Sequence, residues 1–134
     1  MKKQVVKMSG KAPKFSGGVR PFSAAIKAGD FIFVSGFHGG GSNPETGEKY
    51  DTIEAQTRQC LEKIKHALEA AGASLDDAVK CTVFIDSGEH FEKMNETYRE
   101  YFPTDPPARS AVVTQFVRPG MMIQIDCIAY HPEK

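Results

Sequence analysis

The chain has 134 residues, of which 40% are hydrophobic and a quarter are charged, as expected for one ordinary globular domain. Its 17 Lys and Arg residues balance 17 Asp and Glu residues, so the formal net charge is zero. This balance argues against a protein that binds nucleic acid by neutralising phosphates, because such proteins usually present a basic face.

The chain is predicted to begin with three strands and a long loop. A short strand is expected around residues 5–8, and the Gly- and Pro-rich stretch 11–21 is typical of a loop. Residues 22–27 and 31–35 predict the two arms of a hairpin. Residues 37–50 then predict a second, longer loop rich in turn-forming residues.

A helix and a strand are expected next. Asp51 is the predicted N-cap, and Glu54 three residues later completes a capping-box pattern. Apolar residues follow helical spacing over 53–71, and Gly72 is a suitable stop. The segment 78–85 alternates as a strand does, which places these residues on one face: Val79, Cys81, Val83 and Ile85.

A second helix follows, capped by Asp86 or Ser87. Asn95 lies on its apolar side, which is an unusual place for an amide. Prolines end the helix at positions 103, 106 and 107. The apolar stripe of this helix consists of Phe91, Met94, Tyr98 and Phe102.

Two strands, about 109–116 and 121–130, complete the chain. The order β-β-β-α-β-α-β-β predicts an α+β fold, a mixed sheet with two helices on one face. The other face would carry Phe84, Met122 and Ile128, which are too apolar for open water, so we expect a partner subunit to cover it.

Three cysteines without a C-x-x-C pair suit free thiols in a reducing compartment. No stretch approaches the ~20 apolar residues of a membrane helix, and the N-terminus lacks the apolar core of a secretory signal. We therefore expect a cytoplasmic protein without membrane association. The four histidines have no metal-ligand spacing among themselves or with the cysteines, so no metal is expected. His38 follows a predicted strand end, where sites tend to lie.

Arg109 is the first candidate for chemistry. The stretch "PPARSAVV" begins a strand with a permanent charge, and Pro106 and Pro107 fix its approach. One interpretation is a surface salt bridge, with Asp105 or, if the last two strands pair, with Asp126. The other is an anion site, because a planar guanidinium fork suits a carboxylate.

The sequence as a whole resembles the reactive-intermediate deaminase family (Rid, or YjgF-like), some members of which carry the older name endoribonuclease L-PSP. The resemblance covers nearly the whole chain, as one domain over 1–134. It rests on segments in the family's order: "RPFSAAIKAGDFIFVSG", "NPETG", "QTRQCLEKIKHALEAAGASLDDAVKCTVFI", "FEKMNETYREYF", "PPARSAVV" and "IQIDCIA".

The resemblance implies a chorismate-mutase-like fold that forms homotrimers with ligand clefts between subunits. It also implies hydrolysis of 2-imino or enamino acids to 2-keto acids and ammonia, without metal or cofactor. Arg109 then matches the arginine that holds the substrate carboxylate. Gly36, after Ser35, matches a strand end that lines the pocket, and Asn95 matches a family asparagine.

The chain departs from the family pattern at several pocket positions. Phe22 replaces a common tyrosine, Phe37 a common glutamine and Ala111 a cysteine, and the longer loop before "NPETG" holds His38. Gln124 stands where deaminating members usually have the glutamate that activates water.

Because a glutamine can orient water but cannot take its proton, Gln124 leaves two hypotheses open. One is a deaminase, weakened or adapted to an unusual substrate, for which Phe22 and Phe37 would suit a more apolar side chain. The other is a non-catalytic module that binds a keto acid or another carboxylate. RNA cleavage, suggested by the older family name, lacks a basic groove in this sequence.

Overall fold

The computed structural model describes residues 2–8 and 20–133, so most of the predicted loop 11–21 lies outside the described residues. In chain order the elements are β1 Gln4–Val5, β2 Ala25–Ala28, β3 Phe31–His38, α1 Ile53–Ala70, β4 Ala78–Ile85, α2 Phe91–Tyr101, β5 Ala108–Val113 and β6 Ile123–Tyr130. The predicted order of elements is confirmed. Strand β3 continues to His38, although residues 37 and 38 were expected to begin a loop.

The six described strands form one sheet in the order β1-β2-β3-β6-β4-β5. β5 pairs with β4 in parallel, and the other neighbours pair antiparallel. The last two strands, whose pairing would have placed Asp126 beside Arg109, do not pair, because β4 lies between them. The reason is the β4-α2-β5 connection, since a helical crossover returns the chain parallel to the strand it left. The predicted α+β class, a mixed sheet with helices on one face, is confirmed.

Thr52, not Asp51, caps α1. Its backbone is extended, and its hydroxyl oxygen accepts a hydrogen bond from the Ala55 N–H at 3.1 Å. Asp51 lies one residue too early to reach that group. At the other end, Gly72 has a φ of +86°, which confirms the predicted stop.

The second half of the chain follows its predicted pattern except at Val79. Ser87 caps a short 3₁₀ turn, Gly88–His90, which leads into α2. Val79 was expected to share a face of β4 with Cys81, Val83 and Ile85, which are buried, but it is 43% exposed. The pairing of β4 with β6 shifts between Ala78 and Lys80, and this bulge turns Val79 outward.

The helices cover one face of the sheet and leave the other uncovered. Phe31, Phe33 and Tyr130 are each more than 40% exposed on the uncovered face, and the Phe31 and Tyr130 rings lie 5.1 Å apart. Ile128 and Phe84 are half-buried there, while Met122 packs against the core. We call the whole uncovered side of the sheet, which carries these aromatic residues, the open face. Among the described residues, no helix is long and apolar enough to cross a membrane.

Candidate ligand site on the two faces of the sheet

Arg109 lies on the helix-covered side of the edge strand β5, directly above α2. Its Nη1 donates a hydrogen bond of 2.7 Å to the Asn95 side-chain oxygen. Its guanidinium carbon lies 5.0 Å from the centre of the Tyr98 ring and 5.7 Å from that of the Phe91 ring. Burial, and then the neighbouring Cys81 thiol, raise the pKa of Tyr98, so this ring remains a neutral phenol. Two rings and an amide therefore hold the guanidinium in one position.

Among residues 2–8 and 20–133, no carboxylate lies within ion-pair distance of Arg109. Asp126 projects from β6 on the opposite face of the sheet, where its carboxylate accepts the Thr82 N–H at 3.2 Å. Asp105 is exposed in the turn before β5. The salt-bridge interpretation of Arg109 is therefore wrong within the described chain, and its charge is available to an external anion.

A cleft of about 270 Å³ opens beside Arg109. Its lining includes aromatic side chains and the prolines of the turn that enters β5. Asp105 adopts a φ of +46° in that turn, a conformation that an aspartate tolerates better than most residues. The cleft is lined by Asn95, Tyr98, Arg99, Phe102, Pro106 and Pro107 together with Arg109.

A second cluster lies on the open face, around a bulge in β3. Val34 pairs with Cys127 and Phe37 pairs with Ile125, so Ser35 and Gly36 together oppose one residue of β6. The Ser35 hydroxyl donates to the Ser23 carbonyl at 2.6 Å and so ties the bulge to the chain before β2.

Gln124 lies over Gly36, which has no side chain to displace it. A Cβ on Gly36 would overlap the Gln124 amide nitrogen and lie 3.0 Å from its amide carbon. Glycine therefore allows the amide to lie flat on the strand.

His38 is the register partner of Gln124 across β3 and β6. Burial, and then the charges of Lys63 and Arg118, lower the pKa of His38, so its ring is neutral at physiological pH. The Lys63 ammonium donates to the His38 carbonyl at 2.7 Å and fixes the end of β3.

The remaining predicted site residues are divided between the two faces. Ala111 follows Arg109 on the helix side of β5. Phe37 packs against the core, because the bulge reverses the alternation of side chains before it. Phe22 is 46% exposed before β2, with the Arg20 guanidinium 5.4 Å from its ring centre.

Sequence reasoning missed the structural support of this region. Gln56 is buried in α1; its amide nitrogen donates to the carbonyls of Tyr50 and Gly120, and its oxygen accepts the Met122 N–H. It joins the loop before α1 to the loop before β6. Its sequence neighbours Thr57, Arg58 and Gln59 are polar and gave no signal that Gln56 is buried. Phe91 and Tyr98, in contrast, could have been found as partners of Arg109 from their place beside Asn95.

Arg109 and Gln124 cannot reach one small ligand within a single chain. They lie two strands apart and three residues apart along the strands, about 14 Å in the plane of the sheet, and on opposite faces. A site that contains both residues requires two copies of the chain.

The chain has clear relatives among known protein families and solved structures. The family model "Endoribonuclease L-PSP" matches residues 5–131, so the chain belongs to that family. The chain is 38% identical over 130 residues to Reactive Intermediate Deaminase A of Arabidopsis thaliana, covering 96% of this chain and 66% of that protein.

It is 34% identical over 130 residues to 3-aminoacrylate deaminase RutC of Acinetobacter baylyi, with 97% and 99% of the two chains covered. The crystal structure of the YjgF gene product of E. coli superposes with a TM-score of 0.79 at 33% identity and covers 95% of this chain and 98% of that one. The resemblance inferred from the sequence is confirmed, and two of these relatives are named as deaminases.

Proposed function

We propose that the protein hydrolyses 2-imino and enamino acids to 2-keto acids and ammonia, in clefts formed between copies of the chain. The observation that carries the proposal is Arg109, a fixed cation whose hydrogen-bond partner is the neutral Asn95 and which faces a cleft. A carboxylate is the anion that its planar fork fits best. Relatives named as deaminases support the reaction class.

The open face supports assembly. Phe31, Phe33 and Tyr130 form an aromatic surface that is costly to leave in water, and a second copy would cover it. A homotrimer, the assembly that the family resemblance implies, would bring Gln124 of one copy toward Arg109 of another. Each site would then combine a carboxylate anchor with a water-orienting amide.

Water attacks an imine carbon readily, so the protein has two tasks, to hold the substrate and to orient the water. Arg109 holds the substrate carboxylate and so fixes the imine carbon. The Gln124 amide oxygen accepts a hydrogen bond from water and directs a lone pair of that water toward the carbon. A C–O bond forms as the C=N π electrons move to nitrogen; the added water gives one proton to solvent, and the nitrogen takes up protons from solvent. The tetrahedral adduct then expels ammonia as its hydroxyl group gives its proton to solvent, which leaves the ketone. Because Gln124 cannot take a proton from the water, turnover is expected to be slower, by roughly 10²-fold or more, than with a base there.

The direct test is keto-acid release from imines that an amino-acid oxidase generates in place. The protein should accelerate release over buffer, and Arg109→Ala should remove most of this effect by raising KM. Arg109→Lys should recover part of it, since it keeps the charge but loses the fork. Arg58→Ala is the matched control, because Arg58 forms a surface ion pair with Glu100. It should leave the rate unchanged.

The non-catalytic module gives a different pattern. It predicts no acceleration over buffer, together with keto-acid binding by calorimetry that Arg109→Ala abolishes. Acceleration that survives Arg109→Ala would contradict the carboxylate anchor itself. Asn95→Asp is a further check, because a carboxylate at 2.7 Å from the guanidinium would neutralise it and weaken keto-acid binding about tenfold or more.

A further inference from the structure

The bulge in β3 selects which side chain accompanies Gln124. Without an extra residue at Ser35–Gly36, strand alternation would place Phe37 on the open face. With it, Phe37 turns to the core and His38 lies opposite Gln124. A polar pair therefore occupies the surface where the sequence had suggested an apolar pocket.

His38 presents a fixed N–H donor in this pair. Its Nδ1 accepts a hydrogen bond from the Gly40 backbone N–H at 3.2 Å, and a backbone N–H can only donate. Nδ1 is therefore unprotonated, so the ring proton of the neutral imidazole is on Nε2. His38 cannot serve as a base through Nε2, but it can donate to an oxygen.

Gln124 adds a second donor. No residue in the described parts of the chain hydrogen-bonds its side chain, although the residue is half-buried. An amide offers an oxygen to water and N–H groups to a ligand at the same time, whereas a glutamate offers acceptors only. The positive charges of Lys63 and Arg118 act on His38, so they would also attract an anion that binds there. Asp126, two residues along β6, already has one oxygen occupied by the Thr82 N–H.

We propose that His38 and Gln124 together bind a second carboxylate, at the end of the substrate side chain. The preferred substrates would then be 2-imino dicarboxylic acids. This inference rests on the proposed deaminase function and names its substrate class. It also gives a reason for the amide at position 124, since a glutamate there would repel such a substrate.

The experiment compares imines of matched length, made by oxidases from glutamate, glutamine and leucine. Wild type should show a kcat/KM at least about tenfold higher for the glutamate-derived imine, with the neutral glutamine-derived imine in between. His38→Phe should reduce that preference to near unity, mainly through a loss of kcat/KM for the glutamate-derived imine, and His38→Gln, which restores an N–H donor, should recover part of the preference. His66→Phe, an exposed change on α1, is the control and should leave the preference intact.

Gln124→Glu provides the decisive comparison. It should raise the rate for the leucine-derived imine, because a base is restored, and lower it for the glutamate-derived imine, because two carboxylates meet. A rise for both imines, or a wild-type preference for the leucine-derived imine, would overturn the proposal while leaving the deaminase function standing.

Binding keeps the proposal testable if no imine is hydrolysed. Calorimetry should then show 2-oxoglutarate bound at least about tenfold more tightly than 4-methyl-2-oxopentanoate, and His38→Phe should abolish the difference. Equal affinities would refute the second carboxylate site. Melting curves establish that each variant is folded.

Discussion

Gln56 offers a sharp test of how the site region is held together. The side chain is 1% exposed and makes three hydrogen bonds of 2.8 to 2.9 Å, to the carbonyls of Tyr50 and Gly120 and from the Met122 N–H. Gln56→Leu preserves the approximate volume and removes all three. The perturbation therefore isolates hydrogen bonding from packing.

The magnitude follows from which groups lose a partner. The Met122 N–H is half-buried and loses its hydrogen bond, at a cost of about 1–3 kcal/mol. Gly120 is exposed and Tyr50 half-exposed, so water can replace much of what their carbonyls lose. The leucine regains about 1 kcal/mol by burying apolar atoms. The net loss in free energy of unfolding should be about 1–2 kcal/mol, which lowers Tm by roughly 5 °C for a chain of this length.

The assay is urea and thermal unfolding at one fixed protein concentration, since association would otherwise shift the midpoint. Gln59→Leu, at a half-exposed position of the same helix, is the control and should change stability by less than about 0.5 kcal/mol. Amide exchange at Met122 should accelerate in Gln56→Leu. A loss below about 0.5 kcal/mol, or unchanged exchange at Met122, would refute the view that Gln56 joins the two loops.

Three further expectations concern packing, pH and assembly. In unfolding experiments, Gly39→Ala should lower the free energy of unfolding by about 2 kcal/mol or more, because the added Cβ would overlap the backbone of α1. Gly88→Ala is the control: no atom lies within 4 Å of the added carbon, so the change should be less than about 1 kcal/mol. Because the pKa of His38 is lower in the folded than in the unfolded chain, the unfolded chain takes up the His38 proton at a higher pH. The free energy of unfolding should therefore fall as pH drops below 6.5, by at most about 1.4 kcal/mol per pH unit. A His38→Gln variant should lose this slope, and an unchanged slope would contradict the burial of the ring. Phe33→Glu on the open face should yield monomers by light scattering, while Val117→Glu in an exposed loop should not; a wild-type monomer would contradict the assembly.

Local sequence patterns were enough to predict the elements. The stripe of Phe91, Met94, Tyr98 and Phe102 specifies α2 because helical spacing places these residues on one face, and Gly72 ends α1 because it alone accepts the positive φ cheaply. Arg109 stood out for a similar reason, since two prolines and a strand pattern gave it a fixed place. Such patterns involve residues close together in the sequence, so they can be recognised without knowledge of the fold.

What the sequence could not determine depends on distant parts of the chain. The crossover through α2 places β4 between β5 and β6, which separates Arg109 from Asp126. One extra residue at Ser35–Gly36 turns Phe37 inward and His38 outward. A period-2 pattern carries no information about an inserted residue, because a bulge becomes visible only against the partner strand. The residue types of the site were thus determined by the sequence alone, whereas the face of the sheet that each one occupies was decided by pairing between strands far apart in the chain.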